Sequence, residues 1–507
     1  MGLPAMLLIV LLSACADNSQ ETTAKELPET DMKFTIKELH ISYQNRTLTV
    51  VDVTQHFLDE IEKQNPELNA VISVNPGALD AAAEQDQQLS RGETPGRLFG
   101  IPVLIKDNIE TKELPTTAGS LALKNNDTQR DAELVIQLRN AGAIILGKAN
   151  LSEWANFRSQ RSSSGWSALG GQTRNPHDTT RSPCGSSSGS AVAVAAQLAI
   201  VAVGTETDGS VVCPASLTGI VGIKPSMGLV SQIGIIPIAH TQDTAGPMAS
   251  NVEDAAILLN AMAINNKGDF AAGFDRSALV DKRIGILRSS AGFHEGVDAV
   301  FENSISVLRS AGSIIIDDLK IDLPQKFSRD SYEVLLYEFK HDIEAYLTAL
   351  PNKAPNNITV SNLQDLIQFN EAQAEREMAY FKQEIFVKSE AKGSLTDQEY
   401  ITALARIRQA TREDGLDRLL QQNQLDALVS PTAGAAWKID LINGDNWPGG
   451  GPSSFPAISG YPHITVPMGN LQGLPLGLSF MAGSNSDKLL LDIAFAFEQH
   501  RLKPIPN

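Results

Sequence analysis

Cysteine is scarce in this chain of 507 residues: Cys15, Cys184 and Cys213 are the only three. No two of them form a C-x-x-C pair, so the spacing supports neither a zinc site nor a disulfide scaffold. The eight histidines are scattered and no H-E-x-x-H occurs, which removes the usual metallohydrolase pattern, and no metal or other cofactor is expected. There is no G-x-x-x-x-G-K-[ST] and no G-x-G-x-x-G, so the glycine-rich stretches are not phosphate cradles of the known kinds. Basic runs are missing too. With 59 acidic against 41 basic residues the net charge is −18, which excludes a phosphate-binding surface and with it a nucleic-acid partner. Beyond Phe34 there is no Pro/Gly-rich linker, charge block or internal repeat to mark a second domain.

The first fifteen residues stand apart. Met6–Leu12 is apolar but too short to span a bilayer, and suits the core of a signal peptide. It ends in Leu12-Ser13-Ala14-Cys15, which resembles a bacterial lipobox, although residues 1–5 carry no Lys or Arg. Residues 1–15 are read as a lipoprotein signal peptide, with Cys15 the lipidated residue. Residues 16–33 read as a polar tether, with a reach of roughly 20–25 Å. The expected address is extracytoplasmic, with the membrane touched only through the anchor.

From residue 34 to 507 the pattern alternates. Helical spacing over Val53–Lys63 stops at Asn65-Pro66, and Leu98–Lys106 reads as a turn and a buried strand. Helix Ala132–Asn140 precedes strand Ala143–Gly147, and helix Ser188–Leu198 precedes strand Ile200–Gly204. This predicts one large α/β domain, its sheet covered by helices on both faces. Residues 329–421 read as a helical excursion, with one long run over Asp365–Lys388. Strands resume at Ala427–Val429, His463–Val466 and Leu476–Phe480, and helix Leu489–Gln499 closes the chain.

The densest chemistry lies in residues 183–225, where two Gly/Ser-rich loops flank a small-residue helix and a strand. Gly185-Ser186-Ser187-Ser188-Gly189 formally fits the nucleophile elbow G-x-S-x-G. That elbow needs a strand just before it, and Asp178–Pro183 is turn material. The loops CGSSSGS (184–190) and GTETDGS (204–210) resemble instead the amidase signature, the block that defines a family of serine amidases. GIPVLIKDNI (100–109), LSEWANFRS (151–159), GGQTRNP (170–176), DTAGPM (243–248) and GLPLGL (473–478) extend the resemblance in order.

The resemblance implies the amidase signature fold, a mixed sheet, and a triad. The nucleophile maps to Ser210, the bridging serine on a non-proline cis peptide to Ser186, and the base to Lys106. Lysine serves as a base only when desolvation keeps it neutral. The apolar run Ile101–Ile105 places Lys106 at the buried end of a strand. Backbone N–H groups of Thr207, Asp208, Gly209 and Ser210 map to the oxyanion hole. Ser187 and Ser188 are read as helix N-cap candidates outside the triad. Asp208 and Val212 depart from the common pattern of glycine and arginine, and with LSEWANFRS and CGSSSGS resemble the peptide amidase branch, which removes C-terminal amides from peptides. An acceptor at Asp208 can hydrogen-bond an amide. Cys184 and Cys213 flank the two loops: they are either a disulfide, which needs Cα atoms within about 7 Å, or two small buried residues.

The implied function is carboxamide hydrolysis through an acyl-enzyme, on a peptide or small-molecule amide. The alternatives are a general acylamidase or fatty amide hydrolase, an amidotransferase A-type subunit, or a non-catalytic binding protein. The intact triad speaks against the last, and the lipobox against an amidotransferase component that needs partner subunits in the cytoplasm.

Overall fold

A computed structural model describes residues 34–93, 96–264, 268–351 and 358–501. Contacts divide the chain into residues 1–32 and one unit of residues 33–507. The signal peptide, the tether and Cys15 lie outside the described residues.

The larger unit is a single α/β domain whose mixed sheet is flanked by helices. Its strands in chain order are β1 Val71–Val74, β2 Ile101–Lys106, β3 Ala143–Ala149, β4 Trp166–Ser167, β5 Gly171–Gln172, β6 Val201–Glu206 and β7 Val221–Lys224. Then follow β8 Thr244–Ala249, β9 Arg283–Leu287, β10 Ile314–Leu319, β11 Ala427–Pro431, β12 His463–Leu471 and β13 Leu474–Met481. Eleven of them form one sheet in the order β1-β3-β2-β6-β8-β7-β12-β13-β11-β9-β10, while β4 and β5 form a small ribbon. Strand β2 runs parallel to β3 and β6, whereas β6/β8 and β12/β13 are antiparallel.

The apolar run IPVLIK is buried at every position because helices cover β2 as well as its neighbours. Helix Ser188–Ala195 packs across β2, β3 and β6, and its run of Ser, Gly, Ala and Val lets it lie close. Gly189 shows how close: a Cβ there would meet the Ala70 carbonyl oxygen at 2.2 Å.

Two sequence expectations are corrected. Helix Val50–Leu68 runs through Pro66 rather than stopping before it. In the last turn a proline removes only one ladder bond, and the chain leaves the helix at Asn69, in the left-handed region at φ 50°. The Asn65 side chain then clamps both the N–H and the carbonyl of Val71 at 2.8 Å. The run Asp365–Lys388 is not one helix but Leu363–Ala372, Ala374–Glu377 and Glu384–Glu390. It breaks where the buried Arg158 guanidinium donates to the carbonyls of Phe381 and Lys382 at 3.2 and 3.0 Å. The Arg158 carbonyl in turn accepts from the Ile385 N–H at 3.2 Å, so this stretch of chain is tied to a distant loop. The longest element of the excursion is helix Phe327–Thr348, and helix Gln398–Thr411 follows the broken run. Phe339 and Phe386 of this region pack on Phe157, Ile236 and Ile238, residues beside the site described next.

Candidate active site

Lys106 ends β2 with its side chain fully buried. Its Nζ lies 2.7 Å from Ser186 Oγ, 3.0 Å from Ser187 Oγ, 2.8 Å from Thr205 Oγ1 and 3.2 Å from the Thr205 carbonyl oxygen. All four neighbours are neutral. No carboxylate forms an ion pair with it among the described residues. Burial lowers its pKa to about 7, against the weaker opposing pull of Asp243 and Glu206. Desolvation thus shifts the amine toward its neutral form, which carries the lone pair a base needs.

Ser186 follows the cis peptide Gly185–Ser186 and is buried. Ser187 stands at the N-cap of helix Ser188–Ala195 but makes no capping bond. Its hydroxyl instead donates to the Thr205 carbonyl at 3.0 Å and accepts from the Thr205 N–H at 3.1 Å. The Ser188 hydroxyl donates to the Cys184 carbonyl at 2.6 Å. Neither serine caps the helix, because each hydroxyl is engaged by the loops that carry the site.

Ser210 comes four residues after the end of β6 and is partly exposed. The Ser187 N–H donates to the Ser210 carbonyl at 3.1 Å, fastening one Gly/Ser loop to the other. Gly209 adopts φ +80°, which turns the chain at the serine without the cost of a Cβ. Behind the turn, Glu206 accepts from the N–H groups of Val211 and Val212 at 2.8 and 3.0 Å. Burial raises the Glu206 pKa, with Lys224 opposing, and burial lowers that of Lys224 to about 8.

The N–H groups of Thr207, Asp208, Gly209 and Ser210 donate to no protein acceptor among the described residues. Four free donors on one turn are what an anionic oxygen requires. The Thr207 hydroxyl donates to Asp243 at 2.5 Å, and Asp243 also accepts from the N–H groups of Ile238 and Ala239 at 2.7 and 2.9 Å. Burial pushes the Asp243 pKa up to about 7. Asp208 is not an open acceptor. Its two carboxylate oxygens take the hydroxyls of Ser453 and Ser454, each at 2.6 Å, tying the start of helix Ser454–Ser459 to the loop that carries Ser210.

Cys184 and Cys213 form a disulfide with Cα atoms 6.0 Å apart. It joins the residue two before Ser186 to the residue three after Ser210. The bridge is buried among Leu217, Ala433, Ala436 and Trp437.

Thr205, Thr207 and Asn108 border a cavity of about 400 Å³, walled by Ile235, Ile236, Ile238 and Tyr346. Such a volume accommodates a small-molecule or side-chain-sized group, and its apolar wall favours a hydrocarbon part. No trio of His, Cys, Asp or Glu ligands converges on the serines among the described residues.

Thr205, Ser187, Glu206 and Asp243 were not assigned as site residues from sequence. Glu206 and Asp243 stand inside the quoted blocks GTETDGS and DTAGPM, where a buried acid was the available signal.

A profile of the Amidase family matches residues 52–491. A probable amidase of Arabidopsis thaliana is 40% identical over 92% of this chain and 90% of its own. The A-type component of the glutamyl-tRNA(Gln) amidotransferase from Microcystis aeruginosa is 31% identical, over 92% and 99%. The solved peptide amidase of Stenotrophomonas maltophilia superposes with a TM-score of 0.86 at 44% identity, over 92% of this chain and 96% of that one. Matched along nearly all of its described length in both sequence and fold, this chain belongs to the amidase signature family.

Proposed function

We propose that the protein hydrolyses carboxamides by acyl transfer to Ser210, with Ser186 and Lys106 as the proton path, and that its substrates are C-terminal amides of peptides. The observation that carries this reading is the setting of Lys106: buried, ringed by hydroxyls and a carbonyl, and without an ion-pair partner among the described residues. A lysine so placed is inexpensive to hold neutral and therefore basic.

Ser210 Oγ attacks the amide carbon while its proton passes to Ser186 Oγ. Ser186 releases its own proton to Lys106 Nζ. The carbonyl oxygen, now anionic, takes the free N–H groups of residues 207–210. The C–N bond breaks as the proton returns along the same path to the departing nitrogen, releasing ammonia. Water then repeats the sequence on the acyl-enzyme and frees the acid. Preorganised donors of this kind contribute about 10²–10³ in rate.

The peptide preference is supported by the likeness to the Stenotrophomonas peptide amidase and by the apolar cavity beside the loops. An extracytoplasmic, lipid-anchored enzyme is supported by the lipobox at Cys15 and by a disulfide, a bond that persists in oxidising compartments. Incorporation of labelled palmitate that vanishes in Cys15→Ala checks the anchor.

The decisive experiment is Ser210→Ala, assayed with peptide amides, short aliphatic amides and a serine-reactive phosphonate. Turnover and labelling should both vanish. Wild-type kcat/KM should favour peptide amides by roughly 10–100-fold. Phosphonate labelling of the alanine variant at another serine refutes the assignment, and equal or faster turnover of aliphatic amides refutes the peptide preference alone.

A further inference from the structure

At the far wall of the cavity, three metal-ligating side chains meet from two elements. His240 belongs to the loop between Ile238 and Asp243, whereas His341 and Asp342 stand on helix Phe327–Thr348. His240 Nδ1 lies 2.8 Å from Asp342 Oδ2, and His341 Nδ1 lies 2.8 Å from Asp342 Oδ1. One ligand atom from each of the three falls within 4.8 Å of the other two. Glu338, one helical turn before Asp342, sets a fourth ligand type 3.7 Å from His240 Nδ1. That carboxylate is fully buried and accepts from Thr241 and Tyr400, so it is held in place.

We propose that His240, His341 and Asp342 form a binding site for a zinc-class divalent ion in the cavity wall, and that occupancy slows amide turnover. Two imidazoles with a carboxylate suit zinc, nickel or copper, whereas magnesium and calcium take oxygen donors. At Zn–N and Zn–O distances near 2.0–2.2 Å, tetrahedral ligand atoms sit about 3.3–3.6 Å apart. The present spacing needs only a modest swing of the two rings. Both are free to make it, with side-chain exposures of 43% and 59%, while Asp342 at 10% is fixed.

The link to turnover follows from what these residues adjoin. His240 and Asp342 both line the cavity, so an ion between them occupies its wall. Two residues before His240, Ile238 gives its N–H to Asp243, which in turn accepts from Thr207 of the nucleophile loop. An ion clamping His240 to the helix therefore grips the same loop that steadies the turn at Ser210. This second half of the inference rests on the amidase reading, while ion binding does not.

The test is calorimetric titration of the full chain with zinc chloride in a non-coordinating buffer, alongside amide hydrolysis with and without the ion. One saturable equivalent is expected, weakened at least about tenfold in His341→Gln and in His240→Gln. The distant His500→Gln should bind as the wild type does, and magnesium should not displace zinc. Zinc should inhibit the wild type and leave His341→Gln less affected. Absence of saturable binding up to about 1 mM, or wild-type affinity in both histidine variants, overturns the site. Binding without inhibition overturns the coupling. A protein that binds zinc but hydrolyses no amide refutes the amidase reading and leaves the ion site standing.

Discussion

Lys106 and Lys148 sit on adjacent strands, one residue apart in register, and both are fully buried. Their surroundings differ in one respect. Lys148 faces the Asp107 carboxylate at 3.2 Å and donates to the Ile109 carbonyl at 2.6 Å and to Thr116 Oγ1 at 2.8 Å. Lys106 has hydroxyls and a carbonyl, but no ion-paired anion among the described residues. Burial lowers both pKa values, and for Lys148 the facing Asp107 is the first opposing cause. The same residue type at the same depth is thus paired with an acid in one place and, under the proposed mechanism, available as a base in the other. The presence or absence of a counter-ion makes the difference.

Five experiments break or sharpen that contrast. Lys106→Met removes the base and should lower turnover about 10²–10⁴-fold. Its stability should shift by only about 1–2 kcal/mol, because no charge is left unpaired. In the proposed mechanism, the working form of wild-type Lys106 is the neutral amine. Its pKa of about 7 lies below the ordinary 10.5, so kcat/KM should be flat above that pH and fall tenfold per unit below it. A profile flat down to pH 5 would remove Lys106 from the proton path.

Lys148→Met should do the reverse. It strands Asp107 without its cation and should destabilise the fold by about 3–5 kcal/mol in denaturant titrations. Activity per folded molecule should survive, and adding Asp107→Asn should restore part of the stability. If Lys148→Met instead abolishes chemistry in folded protein, the division of roles between the lysines fails.

Replacing Cys184 and Cys213 together by alanine opens a bridge between residues 29 positions apart and should cost about 3–4 kcal/mol. A dithiol reductant should lower the unfolding midpoint of the wild type and leave the double variant unmoved. The smallest effect concerns Asp208→Gly, which releases Ser453 and Ser454 from the nucleophile loop. Peptide preference in kcat/KM should narrow about tenfold while acyl chemistry continues. An unchanged ratio would mean that the tie does not shape the pocket.

Much of this was legible beforehand. The apolar run before Lys106 gave both its strand and its burial, and alternating periodicities gave the α/β order. The loops around Ser186 and Ser210 were visible from their glycine and serine content. Other features depend on contacts between residues far apart in sequence. The helical run is interrupted where Arg158, more than two hundred residues away, donates to the carbonyls of Phe381 and Lys382, and no local periodicity encodes that contact. Ser187 looks like a cap until Thr205 and Lys106 claim its hydroxyl. The cysteine pairing needed a Cα separation, and Asp208 looked open because Ser453 and Ser454 lie 245 and 246 positions from it.

Strand β2 lies between β3 and β6, with every residue from Ile101 to Lys106 buried. Backbone amides in such a strand exchange with solvent deuterium only when the whole domain opens. The proposed base is therefore mounted on the slowest-exchanging class of backbone, whereas the half-buried Ser453 and Ser454, at the start of helix Ser454–Ser459, reach the Ser210 loop through hydroxyl contacts to Asp208. On heating, loss of the lysine's geometry should coincide with global unfolding, and substrate selectivity should blur at lower temperatures, before the chemistry stops.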